Sequence, residues 1–484
     1  MANCLAVSHL SRGPVNGASL TGMATVYQEL TEHLGVDAVL DSSAARSRSC
    51  NYWDPSPLQA LALILPRSTA EVSLAMKICH ARGQTVVVHG GLTGVCDADR
   101  STPDDVVISL ERMSRIEEID PVGRTATVQA GCILQTLQTA AERENLLFPL
   151  DLGARGSCTV GGNVSTNAGG INVIRYGMTR ALVLGLEAVL SDGTVISSMN
   201  RMLKNNTGYD IKQLFIGTEG TLGIVTRVVF SLTERPESVN TALLALDGGE
   251  HLPTLLKLMD RKLGGTLTSF EAMWGDYYRG VTQPGWHSSP MERSHAYYVI
   301  VEATGSEQEA DAQRFQTAIE TAFEAGLIAD AVLPKSSTER ARIWAIREDF
   351  SAILQHKPLF LYDVSVPLRD TVRYVDHVTR GLKQRWPSSQ FFALGHIGDG
   401  NLHFFIAPGA TTDEKASLHT HCDELVYKTL QPFHGAISAE HGIGLEKKAW
   451  MSISRSAAEI ELMRILKRTL DPKNILNPGK VIDV

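Results

Sequence analysis

Val160-Gly161-Gly162-Asn163-Val164-Ser165-Thr166-Asn167-Ala168-Gly169-Gly170 closes a segment, 151–170, built almost entirely from small residues. Glycine permits positive φ and lets a flat ligand come close to the backbone. Two further glycine-rich stretches flank it, Gly90-Gly91-Leu92-Thr93-Gly94 and Gly217-Thr218-Glu219-Gly220-Thr221-Leu222-Gly223-Ile224. A single such loop is as well read as a tight turn. Three in one region are hard to explain as turns. None is a Walker A loop or a G-x-G-x-x-G fingerprint.

The loops sit among short strands. Leu61–Leu65 is an apolar run, and Ser68-Thr69-Ala70-Glu71 has the form of a capping box that starts a helix to about Arg82. Thr85–Val88 is β-branched and feeds the first loop. Strands are expected at Val106–Ser109, Thr125–Val128, Val183–Leu190 and Ile224–Leu232. After Glu234-Arg235-Pro236 the pattern becomes strands at Thr241–Leu246, Tyr297–Glu302, Leu359–Val366 and Phe391–Leu394. Helices are expected over 252–262, 306–325 and 456–470.

The second dense signal is Gly395-His396-Ile397-Gly398-Asp399-Gly400-Asn401-Leu402-His403, followed 37 residues later by Glu440-His441. Gly398-Asp399-Gly400-Asn401 is a turn signal that folds its flanks together. Imidazole plus carboxylate suits a borderline divalent ion such as Zn²⁺, and a further histidine suits proton abstraction at neutral pH.

A chain of 484 residues exceeds one ordinary core. Its formal charge of −8 argues against a nucleic-acid surface. No apolar run reaches the ~18 residues of a membrane span, and 1–22 reads as a loose leader. The seven cysteines are scattered, with no Cys-x-x-Cys pair. That disfavours a zinc ribbon, an iron–sulfur cluster or a disulfide framework, and fits a reducing cytoplasm.

In order and content, these motifs resemble the FAD-dependent D-2-hydroxy acid dehydrogenases of the vanillyl-alcohol oxidase / p-cresol methylhydroxylase superfamily, over about 60–484. Further pieces are Asn206-Thr207-Gly208-Tyr209-Asp210, Glu440-His441-Gly442-Ile443-Gly444 and Asn477-Pro478-Gly479-Lys480. The resemblance implies an α+β fold: a two-subdomain FAD-binding domain of p-cresol methylhydroxylase type (56–235), an α+β substrate or cap domain (236–430), and a C-terminal segment (431–484) returning to the flavin, after an N-terminal lead-in (1–55). It implies FAD contacts from Gly90, Gly91, Thr93, Gly94, Ser157, Gly161, Gly162, Thr166, Asn167, Gly169, Ile224 and Asn477. It also implies a divalent metal, zinc by preference, on His396, His403 and Glu440, with His441 as base. Arg347 is expected to hold the substrate carboxylate, for which a planar fork of donors is suited.

Leu92 departs from the family's usual Gly or Asn. Covalently flavinylated relatives often carry histidine there, so non-covalent FAD is expected. Cys96-Asp97-Ala98 also departs from the usual small residues. Leu361 and Phe405 stand where hydroxyglutarate-specific relatives carry Lys and Asn. This favours D-lactate or another apolar D-2-hydroxy acid, with D-2-hydroxyglutarate as the alternative. An external acceptor (electron-transfer flavoprotein, quinone or cytochrome) is expected, and a homodimer and a peripheral membrane association are left open. A metal-dependent hydrolase and a non-catalytic nucleotide-binding subunit are the remote alternatives.

Overall fold

The computed structural model describes residues 20–409 and 414–484, so most of the expected leader, 1–22, lies outside the described residues. They form two compact units. Of the described residues, a glycine-loop unit takes 20–169, Met178–Arg235 and Glu440–Val484, and a seven-stranded unit takes Gly170–Gly177 and Pro236–Ala439.

In the glycine-loop unit, Ser68 Oγ accepts from Glu71 N at 3.2 Å and starts helix Thr69–Arg82. The reciprocal bond of the expected capping box is shifted by one residue, because Glu71 Oε2 accepts from Arg67 N instead. This helix connects Ala62–Ile64 to Val86–His89. Both strands pair in parallel with Val106–Ser109 between them, and Val39–Asp41 completes a four-stranded sheet. A second, antiparallel sheet runs Ile116–Asp120, Thr125–Gln129, Ile224–Ser231, Val183–Val189, Val195–Ser198. The apolar faces of both sheets meet helix residues Val72, Met76 and Cys79 in one core.

The edge strand Val86–His89 is covered by the chain's last residues. Val86 N donates to Ile475 O (2.7 Å) and Val86 O accepts from Asn477 N (2.8 Å). Lys467, itself 3% exposed, locks this tail. Its Nζ donates to Asp471 Oδ2 (2.6 Å), Leu476 O (2.6 Å) and Thr221 O (2.9 Å). All three ammonium hydrogens have acceptors, so the buried cation is satisfied.

The second unit is one antiparallel sheet in the order Asp330–Val332, Ser238–Leu246, Tyr297–Gly305, Leu267–Trp274, Gln390–His396, Asn401–Ala407, Phe360–Ser365. Side chains alternate between its faces. Phe404 turns toward Tyr374 of helix Thr371–Arg385, at 5.8 Å between ring centroids. Its neighbour Phe405 joins Tyr277, Ile343 and Trp344, from helices Gly275–Val281 and Ser337–Glu348, in the other core.

Three differences from the sequence reading matter. Strand Leu267–Trp274 was not foreseen, because Ser269 and Glu271 interrupt its apolar run. Residues 170–177, expected in the FAD domain, belong with the seven-stranded unit. Arg175 Nη1 donates there to Thr304 O (2.6 Å) and Oγ1 (2.8 Å). That unit takes in residues up to Ala439, and an isolated bridge pairs Ala436 with Ser365.

Candidate active site

The turn Ile397–Gly400 joins two strands in the register Leu394↔His403. His396 and His403 therefore share one face, with ring centroids 5.3 Å apart and planes at 87°. The turn is crowded at both of its glycines, and it requires glycine at Gly400. Gly400 has φ +84 with Val366 O on the side a Cβ would take, and a Cβ on Gly398 would come within 2.8 Å of Ile174 Cδ1.

Behind the imidazoles stand two buried carboxylates that sequence reading missed. Glu271, 1% exposed, lies between two predicted site residues. His396 Nδ1 lies 2.7 Å from Oε1. Arg347 Nε donates to Oε2 at 3.1 Å. An ionised carboxylate only accepts, so Nδ1 carries the hydrogen and Nε2 of the neutral ring carries the lone pair. Arg347 Nη2 is 3.0 Å from the same Oε2, close enough for charge attraction, yet is buried without a hydrogen-bond partner. The guanidinium thus keeps donor capacity for an anion.

The second is Asp363, which is fully buried. Its Oδ1 accepts from Asn401 Nδ2 (2.8 Å), and Oδ2 accepts from Ser438 Oγ (3.1 Å) and Ala439 N (3.0 Å). His403 Nδ1 lies 3.8 Å from Oδ1, an electrostatic contact rather than a hydrogen bond. Asp363 ties the His403 strand to the segment whose next residue is Glu440. Leu361 faces Phe405 in register one step further along this face, and Phe405 packs on Phe350 at 5.2 Å.

In the glycine-loop unit the first loop packs closely on the second, and the second on Ala130. A Cβ on Gly91 would lie 2.4 Å from Ser157 O, one on Gly90 2.8 Å from Thr159 Oγ1, and one on Gly161 2.5 Å from Ala130 Cβ. These glycines let protein strands approach one another. Gly94 differs: a Cβ there meets nothing within 4 Å, so it marks the open side of the loop. Thr93 O accepts from Trp53 Nε1.

Thr166 Oγ1 is turned back onto Gly162 O at 3.1 Å. Asn167 ends the short helix Val160–Thr166, and its Oδ1 accepts from Arg180 N. Gly169 is the last residue of this stretch within the unit, and Ile224 is 1% exposed at the start of its strand. Asn477 bridges strand Val86–His89 and the third loop, accepting from Val88 N (2.9 Å) and donating to Glu219 O (2.7 Å). Leu92 adopts φ 56, the left-handed conformation that Gly or Asn takes most easily. The departure is thus in side chain and not in backbone. At Cys96, the carbonyl accepts from Leu445 N at 2.9 Å.

His89 is a buried structural residue. Its Nε2 donates to Asp99 O at 2.8 Å, and burial pushes its pKa down to about 4. A depressed histidine contributes stability that is complete above its ordinary 6.5 and is lost as pH falls toward 4. Burial pushes the Asp99 carboxyl up to about 6, with the opposite sign over the same window. Relative to wild type, His89→Gln should therefore gain about 3 kcal/mol between pH 7 and pH 4. Urea denaturation at a series of pH values measures this difference; a gap independent of pH contradicts it.

With this geometry in view, the comparisons with known proteins are specific. Residues 60–198 match the FAD binding domain family, and 235–481 match the family of FAD linked oxidases, C-terminal domain. The D-2-hydroxyglutarate dehydrogenase of Xanthomonas citri pv. viticola is 40% identical over 437 residues, covering 89% of this chain and 90% of that one. The mitochondrial enzyme of that name from Bos taurus is 37% identical, covering 87% and 76%.

The chain belongs to the FAD-linked oxidase family.

It falls among that family's D-2-hydroxy acid dehydrogenases. The fold of an FAD-linked oxidase is also shared with crystalline p-cresol methylhydroxylase, at TM-score 0.75 and 15% identity over 96% of this chain and 98% of that one. The FAD binding domain match spans two of the three glycine-rich loops, Gly90–Gly94 and 151–170. Among the described residues, no helix of this FAD-linked oxidase is long and apolar enough to cross a membrane.

Proposed function

We propose that this FAD-linked oxidase converts an apolar D-2-hydroxy acid, D-lactate or a longer homologue, to the 2-oxo acid with the help of a divalent metal, zinc by preference. The observation that carries the reading is the pair of nearly buried imidazoles 5.3 Å apart, one of them donating through Nδ1 to a carboxylate. A metal-ligating histidine characteristically donates its other ring nitrogen to a carboxylate, which fixes the tautomer and orients the ring. His396, His403 and Glu440 are therefore proposed as the metal's ligands, and the open backbone at Gly94 suits the pyrophosphate of FAD. Leu92, in the position of the covalent histidine, supports non-covalent attachment. When bound, FAD accepts the Cα hydride at N5 and the metal ion polarises the substrate hydroxyl.

The chain's own residues do the rest. Arg347 holds the carboxylate through its unspent Nη2 donors, which limits the orientations of the Cα–H bond. His441 takes the hydroxyl proton as the Cα–H bond breaks with its electron pair and the carbon–oxygen double bond forms. Electrons then leave to an external acceptor such as an electron-transfer flavoprotein, a quinone or a cytochrome.

The names of the relatives favour a second reading, D-2-hydroxyglutarate. Against it, Leu361 and Phe405 face each other within an apolar cluster. A second carboxylate there would be poorly paired, at a cost of about 2 kcal/mol or more. Anaerobic flavin bleaching by D- and L-2-hydroxy acids, with and without chelator, separates the two. D-lactate or a longer apolar D-acid should reduce the flavin fastest, and chelator should abolish it. Preference for D-2-hydroxyglutarate would overturn the substrate choice. The double variant Leu361→Lys, Phe405→Asn should shift selectivity toward D-2-hydroxyglutarate by about 10-fold or more, the equivalent of one added charge-assisted hydrogen bond.

A further inference from the structure

Glu219 connects three segments that the sequence separates widely. It lies in the third glycine-rich loop, is 7% exposed, and adopts φ 52, a left-handed conformation uncommon for a residue with a Cβ. Its N–H donates to Ser165 O at 2.7 Å, in the second glycine-rich segment. Its carbonyl accepts from Asn477 Nδ2 at 2.7 Å. Its carboxylate reaches the turn that follows His441: Oε1 accepts from Ile443 N at 2.6 Å and Oε2 from Gly444 N at 2.8 Å.

The turn is shaped to receive that carboxylate. Gly442 has φ +87, and a Cβ there would stand 2.8 Å from Glu219 Oε1. On its other side Cys96 O accepts from Leu445 N, and a Cβ on Gly444 would lie 1.8 Å from the same oxygen. Two consecutive backbone N–H groups aimed at one carboxylate form a small anion-binding nest. Burial pushes the Glu219 carboxyl pKa up, so holding a charge here opposes desolvation; the two N–H bonds act the other way. A neutral acceptor would close the turn at lower cost. The ionised carboxylate adds a two-point, directional clamp.

We propose that Glu219 is a positioning residue for His441: its carboxylate fixes where the base stands relative to the flavin loop from which Glu219 itself projects. This rests on the reading of His441 as the base. The clamp begins two residues after His441, so a displaced turn moves the imidazole with it. In Glu219→Gln the amide NH₂ would face one of the two N–H groups and only one bond would survive. Misplacement by about 1 Å lowers rates by roughly 100-fold in well-oriented sites.

The test compares FAD-loaded wild type, Glu219→Gln, Gly442→Ala and His441→Ala. Gly442→Ala disturbs the same clamp from the opposite side and keeps the carboxylate. FAD content is read by absorbance, and the rate constant of anaerobic flavin reduction and the substrate Kd by stopped flow from pH 6 to pH 9. Both clamp variants should retain FAD and bind substrate within threefold of wild type. Their reduction rate should fall by about 10- to 100-fold, with a shifted midpoint of its pH profile. If one variant does not retain FAD, the other decides by the same criterion.

A wild-type rate and profile in an FAD-loaded clamp variant overturns the proposal, and so does loss of FAD from both variants, which would assign Glu219 to cofactor retention. Those results beside an inactive His441→Ala leave His441 as the base. Full activity of His441→Ala removes that reading and this one with it.

Discussion

His441→Ala is expected to slow anaerobic reduction of the flavin by about 10²- to 10⁴-fold, the usual contribution of a positioned general base. FAD should stay bound. The turn beyond His441 is held through backbone N–H groups of Ile443, Gly444 and Leu445, which the substitution leaves in place. The wild-type rate should rise with pH as an imidazole deprotonates, and the variant should lose that limb. Yellow, FAD-loaded protein with an unchanged reduction rate would show that the hydroxyl proton leaves by another route.

Gly91→Ala is expected to weaken FAD binding. The added Cβ would lie 2.4 Å from Ser157 O, 2.7 Å from Cys158 Cα and 3.0 Å from Thr159 N. All three are backbone atoms, so no side chain can turn aside and one loop must move. Overpacking of this kind costs about 1–3 kcal/mol, and charged to FAD binding that amounts to roughly a 5- to 150-fold weaker Kd. Gly94→Ala is the control. Its Cβ meets no protein atom within 4 Å, so the apoprotein should keep its stability. If the pyrophosphate lies over this loop, only FAD affinity should fall. Equilibrium dialysis and thermal melts of both apoproteins distinguish the two effects; an unchanged FAD Kd in Gly91→Ala would contradict the packing argument.

The apolar strands were legible in the sequence because their signal is local. Val106–Ser109 and Ile224–Ser231 announce themselves by β-branched runs, and the His396–His403 hairpin by its glycine turn. Three acids were not legible. Glu271 meets His396 across 125 residues and Glu219 meets Ile443 across 224. Asp363 reaches 75 residues ahead, to Ser438. An acidic residue in an apolar stretch shows only that a charge is buried; its partner is set by tertiary pairing. Leu267–Trp274 was overlooked for the same reason, since the Glu271 that gives it meaning also breaks its pattern. The glycines carried the opposite lesson. At Gly91 and Gly161 a close approach is visible locally: the atoms facing the Cβ position belong to Ser157 and Ala130 of the protein's own loops.

The tail that covers strand Val86–His89 also dictates an order of events during synthesis. The Asn477 side chain bonds Val88 across 389 residues. At a ribosomal rate of 5–20 residues per second, roughly 20 to 80 s separate the emergence of the strand from that of its cover. Throughout that interval the nascent sheet has an open edge, while the whole of Pro236–Ala439 is being made. Asn477 cannot tie this strand to the third glycine-rich loop until the wait is over. A chaperone that shields bare strand edges therefore has that whole interval in which to act on this unit.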